Sequence, residues 1–265
     1  DEQEVTVEYN ETAEVAFENI EKTGEIKVTK TTVGNINVSG ITFNLRGTSD
    51  SGRDIDIPAV TDENGVAIFS EIPIGTYTIY EDEKTVPTAY LVADPQNVTV
   101  TYAETKEVPI ENKEKTGSIT VHKTTEGQKN IEGIKFYLRG TSDSGRAIDI
   151  PATTDKDGIA KFDGVPIGTY MVIEDEETVP YGYLVADEKE VKVEYAQTID
   201  ETILNNEQTG TVKVHKKTAD MTNVEGIRFI LSGISDTGRE IRIEATTDKD
   251  GLAKFEGVPV GTYTI

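Results

Sequence analysis

The sequence reads GSITVHK at residues 117–123, with close copies GEIKVTK at 24–30 and GTVKVHK at 210–216. Side chains alternate across a strand, so Ile119, Val121 and Lys123 share one face. If the apolar pair faces a core, the lysine goes in with it. An ammonium there is costly unless it is paired or neutralised. Lys30, Lys123 and Lys216 recur every 93 residues. A lysine in that position three times calls for partners.

The repeat overrides the one or two domains that 265 residues would suggest. A unit of this size can hold its own core and is longer than most solenoid repeats. Residues 1–19 (DEQEVTVEYNETAEVAFEN) match 94–112 and, less closely, 187–205, where the segment closes a repeat. The expected organisation is therefore the closing strands of a preceding repeat at 1–19, complete repeats at 20–112 and 113–205, and an incomplete one at 206–265. Runs such as GIKFYL (133–138), AIDI (147–150), GIAKF (158–162), TYMVIE (169–174) and EVKVEY (190–195) alternate apolar with polar. Gly, Asp, Asn and Pro separate them at short intervals, which predicts a sandwich or small barrel. No stretch keeps a helical period. The links Asn112–Gly117 and Asn205–Gly210 are short and charged, which predicts a rather stiff row of domains.

The formal charge of −23, from 49 acidic and 26 basic residues, argues against nucleic acid and anionic membrane as partners. Cysteine is absent, which excludes disulfides and thiolate metal sites. An extracellular chain of small domains then needs another staple. No stretch is long and apolar enough to insert in a membrane, and no signal peptide opens the sequence.

Two further polar residues share the parity of apolar neighbours. Glu81 lies on the face of Tyr77 and Ile79, and Glu174 on that of Tyr170 and Val172. Asn112 follows Val108 and Ile110, Asn205 follows Ile203, and Asn19 follows Val15 and Phe17. Each complete unit thus has an inward Lys on its first strand, an inward Glu in the middle and an inward Asn on its last.

With the Gly-Thr-Tyr-x-(Ile/Val)-x-Glu box and the Val-Pro-x-x-Tyr runs at 86–90 and 179–183, these features resemble the collagen-adhesin B-type repeats (SpaA-like, prealbumin-like domains) of Gram-positive surface adhesins and pili. The resemblance covers essentially the whole chain. It implies an all-β fold of tandem prealbumin-like or Ig-like sandwiches arranged as an elongated rod. It also implies an intramolecular isopeptide bond between the lysine amine and the asparagine side chain, assisted by the acid. Carried over, the triads are Lys30, Glu81 and Asn112, then Lys123, Glu174 and Asn205. Lys216 and Asn19 are equivalents without a complete triad, since the third unit stops before its glutamate. Asn206 beside Asn205 is set aside by parity with Ile203.

Elementary physics agrees with that chemistry. Burial favours a neutral, nucleophilic lysine and a carboxyl group able to carry a proton. The product amide is neutral. The reaction happens once inside a folded core, so it is self-crosslinking without enzyme turnover, and it needs no cofactor or metal.

Other signals read more plainly. TDENG (61–65) and TDKDG (154–158, 247–251) lack the ligand number and closing glutamate of an EF-hand, and are expected to be hairpin turns. TSDSGR (48–53, 141–146) has no nearby histidine to complete a catalytic triad, and is also a turn. His122 and His215 alternate outward. Tyr77, Tyr170 and Tyr263 belong to the core, the sharper alternative being a sugar-stacking platform.

The function expected is a stalk segment of a cell-surface adhesin or pilus-like protein, extracellular and anchored to the bacterial cell wall. Its partners are neighbouring repeats, with host matrix or glycan reached through a distal domain. Two alternatives remain at this point: repeats that themselves bind a host protein or glycan, with avidity from repetition, and an accessory module of a large secreted glycan-degrading enzyme. A head-to-tail pairing of the 1–19 segment with the Lys216 unit of another copy is a further, weaker expectation.

Overall fold

The computed structural model describes residues 2–129, 131–219, 222 and 224–265. Apart from two single-turn 3-10 stretches, its regular structure is all strand, as the alternation predicts. Three prealbumin-like domains follow one another along the chain.

The first holds β1 (Thr23–Thr32), β2 (Thr42–Ser49), β3 (Asp54–Val60), β4 (Val66–Pro73), β5 (Gly75–Glu81), β6 (Gln96–Val100) and β7 (Thr105–Asn112). They form a four-stranded sheet, β3-β2-β5-β6, and a three-stranded sheet, β4-β1-β7. The second repeats this with β8 (Thr116–Thr125), β9 (Lys135–Ser142), β10 (Ala147–Thr153), β11 (Ile159–Pro166), β12 (Gly168–Glu174), β13 (Lys189–Val193) and β14 (Thr198–Asn205). Its sheets run β10-β9-β12-β13 and β11-β8-β14. The third holds β15 (Thr209–His215), β16 (Arg228–Ser235), β17 (Glu240–Thr246), β18 (Leu252–Pro259) and β19 (Gly261–Thr264), in sheets β17-β16-β19 and β15-β18.

The inward faces of the two sheets make one core per domain. In the second domain Ile119 and Val121 meet Phe136, Leu138, Phe162, Tyr170 and Val172, all buried. Each such aliphatic or phenylalanine side chain contributes about 1.5–3 kcal/mol on leaving water. The Tyr77, Tyr170 and Tyr263 hydroxyls donate to the carbonyls of Pro73, Pro166 and Pro259 at 2.8 Å. The Tyr77 and Tyr170 rings are buried and Tyr263 is partly so, which leaves no stacking platform. Burial pushes the Tyr170 phenol up to about 12.

The first and last strands of each complete domain pair with one another. β1 runs parallel to β7 and β8 parallel to β14. Lys30 stands opposite Ile110 and Thr32 opposite Asn112; Lys123 stands opposite Ile203 and Thr125 opposite Asn205. Lysine and asparagine therefore lie on adjacent strands, two residues apart in register, on one face.

Two expectations are corrected. The TDENG and TDKDG segments are not hairpins: β10 pairs with β9 and β11 with β8, so the turn between them carries the chain from one sheet to the other. And residues 2–22 contain no strand. Val15, Phe17 and Asn19 are exposed instead of inward. β7 and β14 are strands because each pairs with the first strand of its own domain, and residues 2–22 have no such partner among the described residues. Within the stretch the Gln3 side-chain amide donates to the Ala16 carbonyl at 3.1 Å.

Candidate functional site: two buried Lys–Glu–Asn clusters

Each lysine is delivered by its strand and fixed by the turn between sheets. The backbone N–H of Lys30, Lys123 and Lys216 donates to the carbonyl of Gly65, Gly158 and Gly251 at 2.7, 2.7 and 2.8 Å. These glycines have φ near +75°, and a Cβ on Gly158 would stand 2.8 Å from the Lys123 carbonyl oxygen. Only glycine fits there. Within the turn the Asp155 carboxylate accepts from the N–H groups of Asp157 and Ile159 at 2.9 and 3.0 Å. That carboxylate caps a turn, and among the described residues no group of three or more acidic or histidine side chains could hold a metal ion.

The glycine opening the lysine strand has its own reason. A Cβ on Gly117 would meet the Glu194 carbonyl oxygen at 2.5 Å, and one on Gly24 the Thr101 carbonyl oxygen at 2.3 Å. The connection from β13 to β14, and from β6 to β7, lies directly against the strand.

In the second domain the Lys123 ammonium donates to Asn205 Oδ1 at 2.7 Å, to the Thr124 carbonyl at 2.7 Å and to the Ile203 carbonyl at 3.2 Å. Glu174 Oε1 is 3.6 Å from Lys123 Nζ, with both side chains 1% exposed or less. The other carboxylate oxygen, Oε2, accepts from the Ala186 N–H at 2.8 Å. Glu174 Oε1 and Asn205 Nδ2 are buried without a hydrogen-bond partner.

The first domain assembles the same residues. Lys30 Nζ is 3.7 Å from Glu81 Oε1 and donates to the Thr31 carbonyl at 2.9 Å. Here Asn112 turns its nitrogen to the acid, Nδ2 donating to Glu81 Oε1 at 3.0 Å, and Asn112 Oδ1 is the unpartnered atom. Glu81 Oε2 accepts from Ala93 N–H at 2.8 Å. Burial holds both lysines below their ordinary pKa of 10.5, while Glu81 and Glu174 pull in the opposite direction.

One loop ties each cluster together. After the Val-Pro-x-x-Tyr run, Leu184 N–H donates to the carbonyl of Asn206, next to Asn205, and two residues later Ala186 N–H holds Glu174. Leu91 and Ala93 do the same for Lys113 and Glu81. Backbone donors leave no side-chain signature, so sequence reasoning missed them.

Lys216 follows β15 and is half-buried, and Asn19 is exposed. His122 faces outward, its Nε2 3.0 Å from Asp200.

A second recurring cluster was also missed, although the 93-residue period displays it. Glu21, Glu114 and Glu207 precede the three lysine strands and pair with Arg53, Arg146 and Arg239. Ser51, Ser144 and Thr237 of the TSDSGR-type turn donate to the same carboxylates. The segment is a turn, as expected; it joins the paired strands β2 and β3 in the first domain, with a carboxylate anchored in it.

Comparison with known families decides the assignment: the SpaA prealbumin-like fold domain matches residues 24–114, 117–208 and 210–265. The chain belongs to the SpaA prealbumin-like fold family. Among solved structures, the Bacillus anthracis TIE protein superposes with a TM-score of 0.63 at 21% identity, over 92% of this chain and 44% of that one. The SpaA-family chain thus spans less than half of that relative. GBS52, the minor pilin of Streptococcus agalactiae, gives a TM-score of 0.35 at 18% identity, over 74% of this chain and 100% of that one. Shaft pilin SpaA from Lactobacillus rhamnosus GG gives 0.31 at 18% identity, over 70% and 98%. No curated protein matched the sequence. Among the described residues no helix is long and apolar enough to cross a membrane.

Proposed function

We propose that the chain is a stalk segment of a Gram-positive cell-surface adhesin or pilus-like protein, whose complete domains are stapled by self-formed Lys–Asn isopeptide bonds. The observation that carries this is the Lys123 amine, 2.7 Å from the Asn205 side-chain oxygen and 3.6 Å from Glu174, buried in the core. A salt bridge so buried is poor as a stabiliser, because desolvation opposes the attraction. It makes better sense as a reactant.

One proton moving from the ammonium to the carboxylate turns the ion pair into a neutral amine and a neutral acid. The Nζ lone pair then attacks Cγ of the asparagine. The acid's proton polarises the carbonyl and passes to the departing nitrogen. The Cγ–Nδ2 bond breaks, an Nζ–Cγ bond forms, and the departing nitrogen leaves as ammonia with the acid's proton. The proton that the amine sheds on becoming an amide passes to the carboxylate, which therefore ends protonated, and no group is oxidised or reduced.

The new bond joins first strand to last, closing a loop of 82 residues. Tension entering along β8 and leaving along β14 would run through it and bypass the rest of the sandwich. The domains 20–112 and 113–205 are the units stapled in this way, set outside the cell and anchored to its wall, with ligand binding left to a distal domain. Intact mass spectrometry tests the reading. The native chain should lack two ammonia molecules relative to its sequence mass, and Lys123→Ala or Glu174→Ala should restore one. A native mass equal to the sequence mass would end the proposal.

A further inference from the structure

Domains joined by an exposed linker move relative to one another by default. Residues 206–208, between the second and third domains, are instead hydrogen-bonded on both sides. The Glu207 side chain is fully buried. Its carboxylate is held by the third domain, through Arg239 Nη2, the Thr237 hydroxyl and, at 3.5 Å, the Ser235 hydroxyl. Its backbone is held by the second domain. Glu207 N–H donates to Glu126 Oε2 at 2.9 Å, and Glu207 bridges in antiparallel fashion to Tyr183.

Gln208 continues the pattern. Its N–H donates to the Gly182 carbonyl at 2.7 Å and its side-chain amide to the Tyr183 carbonyl at 3.0 Å. Its own carbonyl accepts from Val260 of the third domain at 2.9 Å. The two domains also touch directly. Lys129 Nζ donates to the Gly238 carbonyl at 2.7 Å. Gly182, at φ +93°, lies so close to Thr237 that a Cβ there would meet its methyl group at 2.8 Å. Three of these contacts depend on residues particular to the second domain: the first carries Val33, Ile36 and Ala89 where the second has Glu126, Lys129 and Gly182.

We propose that this junction is a locked joint, in which two loops of the second domain, 126–129 and 180–184, grip residues 206–208 while Glu207 fastens them to the 235–239 turn of the third. Burying a carboxylate is costly unless its guanidinium and hydroxyl partners remain in place. Swinging the third domain would strip Glu207 N–H and the Gly238 carbonyl of their partners at the same time. The joint therefore holds one orientation. It does so whether or not Lys123 and Asn205 are covalently joined.

The absence of cysteine allows a direct test on the full chain. Nitroxide labels placed at two exposed turn positions, Lys156→Cys in the second domain and Lys249→Cys in the third, report their separation by pulsed dipolar electron resonance. The otherwise native chain should give one narrow distance distribution. Glu207→Gln, and separately Glu126→Ala with Lys129→Ala, should lose that narrow peak to a broad one while circular dichroism still reports folded strands. A broad distribution in the native chain, or a narrow one that survives both variants, overturns the proposal. Should Glu207→Gln unfold the third domain, the Glu126/Lys129 pair decides, because both residues lie outside that domain's core.

Discussion

The two clusters use the same three residue types in the same strand register, yet their asparagines face opposite ways. Asn205 offers its oxygen to the Lys123 amine, while Asn112 offers its nitrogen to Glu81. The atoms left unpartnered are complementary: Nδ2 of Asn205 and Oδ1 of Asn112. A half-turn of the terminal amide interconverts the two arrangements. One places the nucleophile on the carbonyl, and the other places the leaving nitrogen on the acid. The proposed crosslinking would use both contacts, and each domain holds one of them. Each arrangement leaves a buried polar atom of the asparagine unpartnered, a conflict that the neutral amide of the proposed crosslink would remove.

If the clusters are equivalent in this way, both bonds form. Peptide mapping should then recover Lys30 joined to Asn112 as well as Lys123 joined to Asn205; one link without the other would break the equivalence. The energetic consequence should also match. A tie closing 82 residues is worth roughly 4–5 kcal/mol in the chain-entropy model. Chemical denaturation of Asn205→Ala should show at least that loss in the second domain, with Asn112→Ala doing the same in the first.

Smaller effects sharpen the comparison. Gly158→Ala forces a Cβ against the Lys123 carbonyl at positive φ, and should cost about 1 kcal/mol or more, with a similar cost for Gly65→Ala. In Asn205→Ala the amine stays free, and burial holds its folded pKa below 10.5. Between that lowered value and 10.5 the unfolded chain binds more protons, so stability should rise with pH across this window. Adding Lys123→Met should flatten the slope. The exposed pairs across the same strands, Lys27 with Glu107 in the first domain and His122 with Asp200 in the second, should matter least. Breaking either by alanine should change stability by at most about 1 kcal/mol.

Much of the cluster was legible from alternation, because parity along a strand is a local property of the backbone. It placed Lys123, Glu174 and Asn205 on the faces of Ile119, Val172 and Ile203 without knowledge of which strands are neighbours. The same reasoning failed at Val15, Phe17 and Asn19, since parity has meaning only where a strand forms, and a strand forms only with a partner. It also missed the carboxylates of Glu21, Glu114 and Glu207. Their neighbours show no apolar alternation, and only the period of the repeat marks them.

The sequence by itself determined the repeat, the all-β character and the inward direction of three polar side chains, because each follows from spacing along the chain. Tertiary structure decided that first and last strands run side by side in parallel, which brings an amine and an amide 82 residues apart within 2.7 Å. It decided that the Asp-Gly turn crosses between sheets to hold the lysine backbone, and that Glu207 is clasped from both sides. Those outcomes depend on non-local pairing and on the exclusion of water, and neither is encoded in the order of neighbouring residues.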